Sequence, residues 1–118
     1  IGLDGIAIGG GLYRPEPPLR DHVRRWFAAN PKAGPSVLAN SGFMSYFTEI
    51  SGERNKRLPK DLSELAQDEP LVFNKQWIFW AAWPNPNLLL DPDLDEFIME
   101  RWQAGRVLNE VLKRAVAQ

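Results

Sequence analysis

The sequence predicts an α+β domain in which a small sheet packs against several helices, with a long helix or helix pair at the C-terminal end. Three observations predict it. A Gly-rich apolar segment near residues 6–13 runs into prolines and then into apolar positions at helical spacing. An aromatic segment near residues 76–83 has strand length and is bounded by polar residues and a proline. From Asp91 onward, apolar residues recur every three or four positions almost to the end of the chain. The 118 residues make a single domain spanning 1–118 the expectation, since independent domains commonly run to about 100–150 residues.

The first strand is read from Ile6 to Leu12, with Ile6 and Ile8 on one face. Gly9, Gly10 and Gly11 then permit a bulge or a close backbone approach, and Tyr13 resumes the apolar pattern before Pro15 ends it. A helix is expected to start near Pro17 or Pro18, because proline presets φ and its missing N–H is one that the first helical turn leaves unpaired. Leu19, Val23, Trp26 and Phe27 form its apolar stripe, and Asn30-Pro31 closes it.

Pro35 is expected to open a second helix carrying Val37 and Leu38. Asn40-Ser41 reads as the cap of a third, with Phe43, Met44, Phe47 and Ile50 on it, ended by Ser51-Gly52. The polar, basic run from Glu53 to Lys60 reads as a loop, after which Asp61 is placed to cap a short helix through Leu62 and Leu65.

The segment Asn74 to Pro84 sets Trp77, Phe79, Ala81 and Trp83 against Ile78, Trp80 and Ala82, so both faces of a strand here are apolar. Such a strand is expected to be covered on both sides, by helices or by a partner, because bare indole and phenyl surface invites association. Asp91-Pro92 is a helix start signal, and Asp93, Asp95 and Glu96 suit the positive end of the helix dipole. Leu94, Phe97, Ile98 and Trp102 form the stripe of that helix. Gly105 is expected to kink or split it, and Val107, Leu108, Val111, Leu112 and Ala115 continue it, with Lys113 and Arg114 in the last turn.

Composition narrows the function classes. Fourteen basic residues against fifteen acidic ones give no broad positive field for nonspecific nucleic-acid or membrane-surface binding. The absence of cysteine excludes disulfides, thiolate catalysis and Cys-based zinc sites and agrees with a cytoplasmic location. No secretory segment is present, and the apolar run from Trp77 to Trp83 is too short to span a bilayer, so no membrane partner is expected. The chain begins with Ile and enters almost directly at a strand, as a truncated or processed chain would.

Gly9, Gly10 and Gly11 invite a phosphate loop, because backbone N–H groups ahead of a helix can cradle an anion. No Gly-Lys-Ser/Thr follows, and in the Gly-x-Gly-x-x-Gly register from Gly9 the third glycine is Arg14, which favours a strand whose glycines admit close packing. Asp91, Asp93 and Asp95 imitate a calcium loop, but its sixth place is Glu96 and its twelfth Trp102, so they are read as helix-capping acids. His22 is the single histidine, and neither a metal site nor any other cofactor is expected. No Gly-x-Ser-x-Gly is present. The remaining anion-binding candidates are Gly10, Gly11, Arg14, Arg57, Lys60 and Lys75, with Arg54 and Lys56 in the same basic loop, since guanidinium forks suit carboxylate and phosphate. Trp77, Trp80 and Trp83 are the interface candidates, with burial in a core as the competing reading.

The order of these features resembles the C-terminal part of the bacterial and fungal family called domain of unknown function 2461. The resemblance rests on Gly9-Gly10-Gly11-Leu12-Tyr13-Arg14-Pro15, on a helical arginine that is Arg20 or Arg24, and on the Phe-containing stretch Phe43 to Gly52. It continues through Asn55-Lys56-Arg57-Leu58-Pro59-Lys60-Asp61, Asp68-Glu69-Pro70, Lys75 before Trp77, and Leu108-Asn109. Two positions depart from the family pattern. Asp61 stands where the family has Gly, and Glu69 where it has His, so any role needing a permissive backbone or an imidazole there is in doubt. The resemblance implies a larger domain of which this chain is the C-terminal portion, with about a hundred further residues preceding it.

Two functional readings remain open, and with them the question of whether the chain is an enzyme. One is an uncharacterised intracellular domain, a noncatalytic binding or interaction module that pairs with the missing N-terminal half or with a second copy. The other is an enzyme or anion-binding protein whose site joins the Gly-rich turn to the basic loop.

Overall fold

A computed structural model describes residues 5–58, 60–65 and 69–118. Strand β1 (Ile6–Leu12) is followed by helices α1 (Pro17–Ala29), α2 (Ala33–Leu38), α3 (Ser41–Tyr46) and α4 (Lys60–Leu65). A 3₁₀ turn (Pro70–Phe73), strand β2 (Trp77–Trp83), a second 3₁₀ turn (Pro86–Leu90) and the long helix α5 (Leu94–Ala117) complete the chain. The architecture is α+β.

The two strands form one antiparallel sheet, with Ile6 opposite Trp83 and Leu12 opposite Trp77 and no interruption between. The glycines therefore make no bulge. They admit close approach instead. Gly11 has φ +112°, and a Cβ there would lie 2.2 Å from the Trp77 carbonyl oxygen, so only glycine fits. A Cβ on Gly10 would lie 2.7 Å from the Phe79 ring, and one on Gly105 of α5 would lie 2.3 Å from the same ring. Phe79 is thus held between a strand glycine and a helix glycine. That explains why α5 runs unbroken through Gly105, where a kink or split was expected: the missing side chain makes room for a ring, and the helical backbone continues.

One face of the sheet carries Ile6, Ile8, Gly10 and Leu12 beside Trp83, Ala81, Phe79 and Trp77, and it packs on α5. Beneath it Phe27 stacks on Trp77 at 5.7 Å, Phe47 meets Phe79 at 4.7 Å and Phe43 meets Phe79 at 6.2 Å. Val23 and Phe27 of α1 and Leu108, Val111, Leu112 and Ala115 of α5 close this core, as the sequence stripes foretell. Arg101, on the outer part of α5, lays its guanidinium 3.3 Å from the centre of the Phe97 ring, with Tyr46 at 4.6 Å and Trp83 at 4.8 Å.

Local starts and stops follow side-chain chemistry. Asn40 caps α3, its Oδ1 accepting from the Phe43 N–H at 2.9 Å. The helix ends at Tyr46, before Ile50, and Thr48 takes a positive φ of 57°. Helix α2 starts two residues ahead of Pro35, at Ala33. Helix α5 starts at Leu94 and not at Pro92, because the Asp91 side chain accepts from the Asp93 N–H at 2.8 Å and so forms a turn ahead of the helix. Helix α4 takes in Asp61, but the side chains of Asp61, Leu62 and Leu65, together with Pro59 and Asp68, lie outside the described residues.

The loop read between Glu53 and Lys60 is more ordered than its polarity suggests. Ser51 bridges Ile78 on the far edge of β2 through two backbone hydrogen bonds, and Arg54 bridges Asn74. Strand β2 therefore has a neighbour on each side. Among the described residues, the outer edge of β1 has none.

Candidate functional site

Two features stand apart from the core: a polar cluster around Asn74, and the exposed side of the sheet with the groove next to β1.

Asn74 is fully buried at the foot of β2. Its carbonyl oxygen accepts from Arg24 Nε at 3.1 Å, its Oδ1 accepts from Arg54 Nε at 3.2 Å, and its Nδ2 donates to the Gln76 carbonyl at 3.0 Å. Arg24 is 3% exposed, and its nearest described carboxylate is Asp21 at 3.8 Å. Burial pulls its pKa below the ordinary guanidinium value; the Arg20 charge adds to this and Asp21 opposes it. Arg24 Nη2 is buried with no hydrogen-bond partner among the described residues. Glu69 is 2% exposed; its Oε1 accepts from the Leu71 N–H at 3.1 Å, while Oε2 is likewise unpartnered among the described residues. Burial pushes its pKa up, against the Leu71 hydrogen bond.

The anion-binding candidates read from the sequence have different surroundings. Gly10 is on the core-facing side of the sheet, against the Phe79 ring. Gly11 turns its backbone against Trp77. Arg14, at φ 51°, leans over its neighbour Tyr13 at 5.2 Å, and Arg57 and Lys60 are exposed. Lys75 donates its backbone N–H to Glu53 and so sits beside the Arg54–Asn74 bridge. The register brings the ends of β1 and β2 together here, with Leu12 opposite Trp77. Sequence reasoning did not select Arg24 for the site. It lies off the apolar stripe of α1 and is buried because the first 3₁₀ turn, which the sequence reading did not assign, packs on that side.

The three interface tryptophans also divide. Trp77 is fully buried, its indole N–H donating to the Leu71 carbonyl at 3.0 Å, so it is core and offers no surface. Trp83 is half-buried, edge-on to Phe97 at 5.4 Å. Trp80 is 58% exposed and lies on the opposite face with Ala7, Gly9, Gly11, Ile78 and Ala82. The chain covers one face of the aromatic strand where both were expected to be covered. A Cβ on Gly9 would lie 2.7 Å from Cδ1 of Trp80, so this indole leans across the glycine toward β1.

Beside β1, a groove of about 580 Å³ runs between Gly11 and Leu12 and one stripe of α5 that includes Trp102, Arg106, Lys113 and Val116. A second, more polar groove of about 450 Å³ lies between Trp26, the turn at Asn30 and Arg114. Among the described residues, no group of three or more His, Asp or Glu side chains could hold a metal ion, and no helix is long and apolar enough to cross a membrane.

No curated protein and no solved structure matches this sequence. A family profile does, described as "Conserved hypothetical protein (DUF2461)", and it takes in residues 1–110 of the 118. The Gly-rich strand, the segment around Asn74, the aromatic strand and most of α5 all lie inside that match, and the chain belongs to the DUF2461 family.

Proposed function

We propose that this chain is a noncatalytic, intracellular interaction module that binds another polypeptide through the exposed side of its sheet. One observation carries the reading: a two-stranded sheet, buried on one face, turns a 58%-exposed tryptophan and a row of small residues outward on the other. Isolated exposed apolar residues are ordinary, but an indole resting on a glycine strand is a flat apolar platform continuous with an edge that has no partner strand among the described residues. Indole is also among the side chains that contribute most where proteins meet.

A random dodecapeptide display library selected on the immobilised chain tests this. Binders are expected to be enriched and to lose at least about tenfold in affinity on Trp80→Lys, a change at an exposed site that leaves the core intact. Failure to enrich any binder, or binders indifferent to Trp80, would contradict the reading.

A second reading is favoured by the arginines. Arg24 and Arg54 reach the same asparagine from two sides, with Arg20 near enough to depress the pKa of Arg24, and the described residues supply little opposing charge. Paired guanidinium groups recognise phosphate or carboxylate. Calorimetric titration with pyrophosphate is expected under this reading to give binding that Arg54→Gln weakens; absence of heat with the unaltered chain excludes it.

A further inference from the structure

We infer that the exposed face of the sheet takes an arginine side chain of the partner polypeptide, its guanidinium laid on the Trp80 indole and its N–H groups met by the Glu49 carboxylate and the polar groups beside it. The inference rests on the proposed interaction role and names the partner's chemistry.

The segment around Ser51 supplies the first argument. Ser51 and Ile78 form an antiparallel bridge, the Ser51 N–H donating to the Ile78 carbonyl at 2.7 Å and the Ile78 N–H to the Ser51 carbonyl at 3.0 Å. Residues opposed in an antiparallel pair point to the same side of the sheet. The Ser51 side chain therefore stands with Ile78 on the face that carries Trp80. Its hydroxyl donates to Glu49 Oε1 at 3.2 Å, which places the Glu49 carboxylate at the rim of that face. Gln76 falls on the same side by alternation, and among the described residues its side-chain amide makes no hydrogen bond.

The match of these groups to one chemistry supplies the second argument. A guanidinium is planar, offers only donors and stacks on aromatic faces, indole best of all. The platform here is Trp80, 58% exposed and leaning across Gly9. The acceptors are the second carboxylate oxygen of Glu49, the Ser51 hydroxyl oxygen and the Gln76 side-chain carbonyl. The rest of the face, from Ala7 to Gly11 and from Ile78 to Ala82, carries no charge, and Glu49 makes no ion pair among the described residues. Two cations at this end of the sheet are already engaged, Arg14 over the Tyr13 ring at 5.2 Å and Arg54 on Asn74 Oδ1. The rim thus presents an unpaired negative charge beside an open indole.

Size argues against a second copy as the occupant. Two strands of seven residues offer a face about 24 Å long and about 10 Å wide, well short of the roughly 800 Å² per partner that a stable dimer buries.

The probe is the blocked pentapeptide Gly-Val-Arg-Val-Gly, with a second version carrying citrulline, which keeps the shape of arginine and loses its charge. Each is titrated into the isotope-labelled full chain, and the Trp80 indole N–H and the Gln76 side-chain amide are followed by NMR. The arginine peptide is expected to shift both signals along a saturable curve, and the citrulline peptide to bind at least about fivefold more weakly. Glu49→Gln, an exposed change that leaves the core intact, is expected to weaken the arginine peptide about threefold or more and to leave the citrulline peptide within about twofold.

Equal binding of the two peptides would overturn the inference. So would indifference of the arginine peptide to Glu49→Gln, a Trp80 signal that does not move, or cellobiose moving that signal where the arginine peptide does not. Display-selected binders that need Trp80 but carry no basic residue and ignore Glu49→Gln would leave the interaction role standing and remove this chemistry alone.

Discussion

Burial holds the Glu69 carboxyl above the ordinary carboxylate range while one of its oxygens goes unpartnered among the described residues. A raised folded-state pKa means that the favourable contribution is complete below the unfolded value, near about 4.3, and is lost as pH rises through the folded value. Glu69→Gln keeps an acceptor for the Leu71 N–H and cannot ionise. The stability difference between variant and parent is therefore expected to move in the variant's favour between pH 4 and pH 8, read from urea denaturation across pH. A constant difference would place the effect in packing. Gly105 makes a second single-residue case. In an isolated helix alanine would be favoured over glycine by about 1 kcal/mol, but here its Cβ would meet the Phe79 ring at 2.3 Å. Gly105→Ala is expected to destabilise by about 1–3 kcal/mol in thermal denaturation, and pairing it with Phe79→Leu should recover part of that loss.

At the scale of elements, the chain was most legible where one local rule sufficed. The stripe at Leu19, Val23, Trp26 and Phe27 located α1, and Asn40 marked the start of α3. Asn40→Ala is accordingly expected to cost about 1 kcal/mol, measured by equilibrium unfolding, through loss of the bond to the Phe43 N–H. Legibility failed where distant segments decide the outcome. Gly105 reads as a helix breaker until Phe79 is seen to fill the space above it. Ser51 reads as a helix end and Arg54 as loop until they are seen to bridge Ile78 of β2 and Asn74 just ahead of it. The first 3₁₀ turn has no periodicity to find, yet its packing on α1 is what buries Arg24.

At the scale of the molecule, the sequence exposed an imbalance: an aromatic strand apolar on both faces. The chain resolves half of it, since Trp77 and Phe79 enter a closed core while Trp80 faces outward beside the glycines of β1. The candidate site was less legible than the fold, because the surface that stands open is made largely of backbone and small side chains. Docking on the sheet requires that openness. Amide hydrogen exchange of residues 6–12, followed by NMR on dilute monomer, tests it most directly. An open edge predicts an alternating pattern, with amides facing β2 protected and those between them exchanging about as fast as in an unstructured chain. Uniform protection of all seven amides in the monomer would mean that the edge is already covered, and would contradict it.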